Sequence, residues 1–363
     1  MIRVGVILFQ NRRYAPFLQA YEKLLREMKD VSYEVIFLNR DLSLNEKTEG
    51  NYISIPWKGK GTTSAPKYEK ALNYLLFTPT AAGILRKKKY DFIIVLTTVP
   101  AVLLCNYLSR HYASRYIVDI RDYTQEGTAS YFKREEKVLS WAALRIVSSA
   151  DYARFLPKLE YTLFHNFNAA DASERPVTRL VKAKDRPIVI ANIGTLSYAK
   201  QIIKLIDLVD QDERFALHLY GNDGRGLITA HANEKNNARI RIMGAFQPRD
   251  KEALYAKSDL IFNCYGNDRP LVQYAISNRY YDGAIAHKPL VVSPETSMQR
   301  LSGEFACPLD LERLTDLNGL AEWYAELDAQ AYDRYAEQVI RNAGETNAET
   351  IRKIQSCIRT SGK

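Results

Sequence analysis

The stretch Ile188-Val189-Ile190-Ala191-Asn192-Ile193-Gly194-Thr195-Leu196-Ser197-Tyr198-Ala199-Lys200 decides the architecture. Its first six residues make a short apolar run and Gly194 permits a close turn. Apolar residues then recur at Ile202, Leu205, Ile206 and Val209, the i, i+3, i+4, i+7 spacing of one helix face. Strand, turn and amphipathic helix together are half of a parallel βαβ unit. The unpaired N–H groups and the dipole at the start of such a helix favour an anion, and Lys200 adds a cation one turn in.

The same alternation extends in both directions. Strands are expected at Val4 to Phe9, Tyr33 to Leu38, Phe92 to Leu96, Tyr116 to Ile120 and Tyr161 to Phe164. A second series is expected at Ile188 to Ile193, Phe215 to Tyr220, Ile240 to Met243, Leu260 to Asn263 and Leu290 to Ser293. Between them, Asn166 to Arg186 is polar and aperiodic and reads as a linker. Long helices are expected from about Leu311 to Ala343 and about Asn347 to Arg359. The expected fold is α/β: two tandem Rossmann-like, doubly wound domains facing a cleft, with boundaries at 1–168 and 187–340. A C-terminal helix, 341–363, is placed to pack back on the first domain. No repeat of solenoid length interrupts the pattern.

The chain of 363 residues is 46% hydrophobic and 26% charged, which excludes disorder, collagen and coiled coil. Its +9 charge is unevenly placed: residues 1–170 hold 25 basic and 16 acidic side chains, residues 171–363 hold 26 of each. The first half alone is expected to meet an anionic partner. Arg86-Lys87-Lys88-Lys89 follows Tyr74, Leu75, Leu76 and Phe77, and Pro79 is expected to start a second short helix there. With Arg12, Arg13, Lys58 and Lys60 elsewhere in this half, the pattern suits an anionic membrane surface. Nucleic acid is disfavoured, because zinc spacings and RNA-binding aromatic signatures are missing. The N-terminal run MIRVGVILF is short for a leader and reads as a buried strand, and no apolar run reaches spanning length. Cys105, Cys264, Cys307 and Cys357 are far apart in sequence, as in a reducing compartment. The expected location is cytoplasmic, peripheral to the inner face of the cell membrane.

A second cluster, Ser277-Asn278-Arg279-Tyr280-Tyr281-Asp282-Gly283-Ala284-Ile285-Ala286-His287-Lys288-Pro289-Leu290-Val291-Val292, reads as an N-cap serine, a short helix, a tight connection and a buried strand. Arg279 and Asp282 fall at i and i+3 on one face of that helix. The carboxylate of Asp282 could accept two ribose hydroxyls.

These two segments resemble the GT-B glycosyltransferases, above all the retaining family 4 and its capsule and exopolysaccharide branches. The family's Gly-Arg-Leu-x-x-x-Lys turn is similar to Gly194, Leu196 and Lys200, with Thr195 in place of the arginine. Its Pro-Asn-Lys-x-x-Glu-x-x-x-x-Gly-Lys-Pro-Val-Val motif is similar to Asn278, Arg279, Asp282, Lys288, Pro289, Val291 and Val292. The resemblance implies that Asp282 holds the donor ribose. The family's first glutamate of a Glu-x7-Glu pair falls on Tyr274, which supplies no carboxylate near the donor sugar. Tyr220-Gly221-Asn222-Asp223-Gly224 resembles the family's Gly-x-Gly turn, and Met243-Gly244-Ala245-Phe246 its Gly-x-Val turn beside the base. Asn263 to Asp268 is a loop of polar groups or plain turn residues. In the first half, Asp119-Ile120-Arg121-Asp122 resembles the family's Asp-x-Arg-Asp, which implies Asp122 facing the acceptor hydroxyl and Arg121 near the phosphates or orienting the carboxylate. A buried structural Arg–Asp pair is the competing reading. His165 matches a structural turn.

The resemblance therefore implies a hexosyltransferase, retaining as in the family, with Asp122, Arg121 and Lys200 in catalysis. Its donor, a nucleotide-diphosphate sugar, would sit on Gly194, Thr195, Lys200, Gly221, Asn222, Gly244, Phe246, Ser277, Asn278, Arg279 and Asp282. No metal or other cofactor is expected, and the acceptor is a lipid-linked saccharide. A non-catalytic nucleotide-sugar-binding scaffold and a GT-B epimerase are the rivals.

Overall fold

The computed structural model describes residues 1–59, 66–167 and 178–362. The chain forms two compact units, Met1–Asn166 with Glu345–Lys363, and Phe167–Gly344.

The first unit holds β1 (Ile2–Leu8), α1 (Leu18–Glu27), β2 (Val31–Asn39), β3 (Tyr52–Pro56), α2 (Lys67–Lys88), β4 (Phe92–Leu96), α3 (Thr98–Leu103), α4 (Cys105–His111), β5 (Tyr116–Ile120), α5 (Ala129–Ser140), β6 (Leu144–Val147) and β7 (Thr162–Leu163). The strands form one parallel sheet in the order β3-β2-β1-β4-β5-β6-β7. β4 and β5 are buried throughout, so they read as apolar runs rather than alternations, broken only by the buried Asp119 of β5.

The second unit holds β8 (Ile188–Ile193), α6 (Ala199–Asp210), β9 (Phe215–Tyr220), α7 (Leu227–Lys235), β10 (Ile240–Gly244), α8 (Lys251–Ala256), β11 (Leu260–Asn263), α9 (Pro270–Tyr274), α10 (Asn278–Ala286), β12 (Leu290–Val292), α11 (Ser297–Ser302), β13 (Ala306–Pro308), α12 (Asn318–Glu326) and the first part of α13 (Ala329–Ser361). Its parallel sheet has the order β10-β9-β8-β11-β12-β13. Both are doubly wound α/β sheets, with the order reversing between β1 and β4 in one and between β8 and β11 in the other. Such a reversal opens a crevice at the carboxyl ends of the strands, the usual ligand position in this kind of sheet.

Several expectations need correction. β3 and β13, both short edge strands, and the four-residue β6 were not among the expected strands. Pro79 does not start a second helix but lies inside the continuous α2. It faces solvent, where water can satisfy the freed carbonyl, and the Thr80 hydroxyl donates to Leu76 O at 2.7 Å one turn back. The C-terminal helices break near Leu327 rather than near residue 345, because Asp328 accepts from Gln330 N and Ala331 N and caps α13. Of the stretch read as a linker, residues 168–177 lie outside the described residues. The rest is packed on the second unit: Leu180 N donates to Asp333 at 2.9 Å, and Arg186 grips Asp259 with two bonds of 2.6 and 2.8 Å. The end of α13 belongs to the first unit, with Ile354 and Ile358 fully buried in its core and Asn347 and Thr350 bonded to His165 and Leu163.

Candidate functional site

In the second unit the carboxyl edge of the sheet is built from glycine turns. Gly194 N donates to Tyr220 O at 3.0 Å and Gly221 N to Gly244 O at 2.7 Å, so the turns after β8, β9 and β10 are tied in a row. Gly221 has φ +146, and a Cβ there would stand 1.9 Å from Gly194 O. Only glycine allows this approach. Leu196 N reaches Asn222 O at 3.3 Å, while Thr195 and Asn222 have exposed side chains. Gly244 (φ +71) ends β10 at a register shift, and Phe246 beyond it is half-buried against the unit's core.

α10 begins as expected: the Ser277 Oγ accepts from Arg279 N and caps the helix, and Asn278 follows with an exposed side chain. Arg279 and Asp282, at i and i+3, do not pair with each other. Arg279 is buried and turns across the switch point, its Nε donating to Ile193 O at 3.0 Å and its Nη1 to Phe262 O at 3.1 Å. A Cβ on Gly194 would lie 3.0 Å from Arg279 Nη2, which makes Arg279 a cation directly against this turn. Asp282 instead accepts from Lys251 Nζ at 2.5 Å and Tyr255 OH at 3.2 Å. Register explains the difference: Arg279 sits in the first turn of α10 and reaches the strand ends, whereas Asp282 faces α8 one turn later.

Lys200 lies in the first turn of α6. It is exposed on α6 and paired with Glu312 at 2.7 Å, which raises its ammonium above the ordinary value. That surface pair is screened by water and easily exchanged for another anion.

Two features of this edge escape sequence reasoning. Tyr198 and Tyr265 stack at 4.5 Å with an interplanar angle of 20°, with Arg269 over the Tyr198 ring and Arg279 over the Tyr265 ring. Such cation–π contacts hold both turns in place. Asn263, at the end of β11, is 3% exposed, and neither its Oδ1 nor its Nδ2 has a hydrogen-bond partner. An unsatisfied buried amide costs about 1–3 kcal/mol, so its isolation at the end of β11 is a costly feature of this edge.

In the first unit the equivalent edge gathers ionisable groups. Arg121 is buried and pairs with Asp119, its Nε and Nη2 both donating to Oδ2 at 2.8 and 2.6 Å, while Tyr21 OH donates to the same oxygen at 2.7 Å. Arg121 Nη1 also donates to Phe164 O at 3.2 Å. Against its desolvation, the charge of Asp119 holds the Arg121 guanidinium above its ordinary value. Arg121 thus ties β5 to the chain after β7 and does not grip the carboxylate of Asp122. Asp122 reaches solvent with its side chain, yet desolvation by the surrounding protein pushes its carboxyl up to about 6, with Arg121 opposing and Glu126 adding to the rise. Behind it, Glu126 accepts from Thr124 N and Oγ1, and Thr124 Oγ1 lies 2.9 Å from Tyr131 OH. Glu135 of α5 is fully buried with both oxygens unpartnered, and burial pushes it up to about 8. Thr97, where β4 turns into α3, adopts φ +77, a strained value for a β-branched residue. His165 is kept neutral by burial, which lowers it to about 4.

Among the described residues no group of three or more His, Cys, Asp or Glu side chains is arranged to hold a metal. The Asp-x-Asp spacing occurs once, at Asp210 and Asp212. It stands at the end of α6 where Asp212 pairs with Arg214, at the opposite end of the sheet from the glycine turns. All four cysteines are free. No described helix is long and apolar enough to cross a membrane.

No protein-family model matches the chain, and no curated protein matches it. Solved structures do. Sucrose-phosphate synthase from Thermosynechococcus elongatus is similar over 98% of this chain and 97% of its own, at 15% identity and a TM-score of 0.68. The lipopolysaccharide outer core galactosyltransferase WaaB is similar over 99% of both chains, at 12% identity and 0.65. UDP-GlcNAc 2-epimerase from Neisseria meningitidis, bound to UDP-GlcNAc, is similar over 98% of this chain and 100% of its own, at 11% identity and 0.61. At these identities the likeness establishes architecture: the chain has the GT-B fold, two Rossmann-like units of parallel sheet.

Proposed function

We propose that the protein is a glycosyltransferase of bacterial surface polysaccharide synthesis, such as capsule or exopolysaccharide. It takes a hexose from a nucleotide-diphosphate sugar held on the second unit and passes it to a lipid-linked saccharide. The observation that carries this reading is the row of glycine turns at Gly194, Gly221 and Gly244 beside the buried Arg279 and the capped start of α10. The turns bring helix N-termini and Arg279 to the switch point, a place that favours an anion, and a pyrophosphate would fill it. The departing nucleoside diphosphate gains negative charge as the glycosidic bond breaks, and fixed dipoles with Arg279 and Lys200 would stabilise it without a metal. Gly244 and Phe246 would face the base, Thr195, Asn222 and Asn278 the phosphates, and Asp282 the ribose hydroxyls. Asn263 supplies a polar group toward the sugar, where Tyr274 offers no carboxylate. Asp122, poised near pH 6, would accept a proton from the acceptor hydroxyl, with Arg121 keeping β5 in register beneath it. The basic first unit would bring this chemistry to an anionic membrane on the cytoplasmic side, where the acceptor resides.

Similarity to an epimerase structure bound to UDP-GlcNAc favours one second reading, epimerisation of the same class of donor. Product analysis separates the two. Sugar transfer needs an acceptor and releases nucleoside diphosphate, whereas epimerisation yields an isomeric nucleotide sugar with no acceptor added. Donor binding with neither product, even when lipid acceptor is supplied, would assign the scaffold role instead. Donor turnover abolished by a chelator would overturn the metal-free mechanism.

A further inference from the structure

Helix α2 is apolar on both faces and yet lies at the surface. Its inward face buries Phe77, Ala81 and Leu85 completely, with Asn73 bonded to both backbone groups of Lys58 at 2.7 and 2.8 Å. Tyr74 and Phe77 pack edge-on against Phe9, so two of the residues read from sequence as a membrane face turn inward. The outward face carries Tyr68, Leu72, Leu75 and Leu76, exposed by 76, 47, 74 and 40%, with Pro79 exposed in the same row. Residues 71–85 contain no charged side chain. At about 1.5 Å per residue this is an uncharged apolar stripe roughly 20 Å long. A helix that is apolar all round is normally buried, and a monomer rarely leaves so continuous a patch in water.

The charge around the stripe selects its occupant. Residues 51–90 contain eight basic side chains and one acidic one, Glu69, which is buried and accepts from Trp57 Nε1 at 2.6 Å. Arg86, Lys87 and Lys89 are exposed at the end of α2, while Lys88 is engaged by Glu34. Arg12, also read as a membrane contact, is instead stacked over Tyr52 at 3.8 Å, and Lys60 lies outside the described residues. A second copy of this face would meet it with the same basic segment and no exposed acid to match. An anionic bilayer offers both halves of the complement: hydrocarbon for the leucines and tyrosine, phosphates for the cations.

We infer that the outward face of α2 is the membrane-docking element, with Tyr68, Leu72, Leu75 and Leu76 entering the headgroup–acyl boundary and Arg86, Lys87 and Lys89 on lipid phosphates. This rests on the membrane part of the proposed function and locates it. Co-sedimentation with vesicles tests it: phosphatidylcholine alone, and phosphatidylcholine mixed with phosphatidylglycerol. The chain should bind the mixed vesicles and release in high salt. L72S/L75S should weaken that binding by about tenfold or more, and R86Q/K87Q by about tenfold on the anionic vesicles. Both pairs are solvent-facing, and unchanged circular dichroism would show that they fold. Binding unaffected by L72S/L75S, or no binding to either vesicle, would overturn the inference. So would a concentration-dependent dimer in ultracentrifugation that L72S/L75S abolishes, since a second copy would then occupy the face. Donor calorimetry on the same samples keeps failure here apart from failure of the sugar-transfer reading.

Discussion

The carboxyl edges of the two sheets are built from different chemistry. The edge of the second unit is backbone: glycine turns, a capped helix start, one buried guanidinium and an unsatisfied amide. The edge of the first unit is side chain: Asp119, Arg121, Asp122, Glu126 and Glu135, with the last and Asp122 held well above the ordinary carboxylate range. Backbone dipoles and permanent cations bind anions at any pH near neutrality, whereas carboxyls displaced toward neutrality exchange protons. The contrast teaches that one topology can carry fixed dipoles and cations at one edge and carboxyls displaced toward neutrality at the other.

The contrast breaks most severely at Gly221. Gly221→Ala puts a Cβ into Gly194 O at a backbone angle alanine avoids, and donor binding should fall at least about 100-fold with a destabilised second unit. Calorimetry against the donor and a thermal unfolding scan would measure both. At the other edge, Asp122→Asn should lower turnover about 100-fold while donor affinity stays the same. Because the carboxylate is the active form, wild-type kcat/KM should fall about tenfold per pH unit below about 6, and the variant should lose that limb.

Glu135 offers a stability readout of the same edge. Its folded carboxyl titrates near 8 and its unfolded one near 4.5, so between those values the native state holds the extra proton. Stability conferred by that proton is fully present below pH 4.5 and lost as pH rises toward 8. Glu135→Gln should therefore stabilise the chain by roughly 2–4 kcal/mol at pH 8 and by little at pH 4.5, measured by denaturant unfolding at both. The smallest effect is expected at Lys200. Lys200→Ala should cost about tenfold in kcat with a smaller change in donor affinity, since Arg279 rather than Lys200 stands against the turn. An unchanged rate would remove Lys200 from the site.

How much of this was legible in the sequence depended on how local each cause is. The central strands β8, β9, β11 and β12 announce themselves because a parallel strand covered on both faces is apolar along most of its length, and the edge strand β10 shows through Ile240, Ile242 and Met243 around an exposed Arg241. β3 does not, because at the sheet's edge Tyr52–Pro56 is only partly buried and ends in proline. The Ser277 cap spans only three residues and is readable from its letters. Arg279's placement is not: its partners, Ile193 and Phe262, are 86 and 17 residues away, beyond the reach of helical spacing. Pairing of Tyr198 with Tyr265 and isolation of Asn263 arise only where separate turns meet at the switch point. On α2, the letters showed apolar and basic residues together but not which leucines face out, since a helix apolar on both sides has no preferred direction in sequence.

The central claim is that the backbone edge of the second unit holds a nucleotide-diphosphate sugar. Isothermal calorimetry of the wild-type chain and Gly221→Ala against UDP, GDP and their sugars, with and without a chelator, tests it most directly. The account predicts binding of one such diphosphate by the wild type, undiminished by the chelator and lost in Gly221→Ala. Absence of binding by the wild type, or binding that survives Gly221→Ala unchanged, would contradict it.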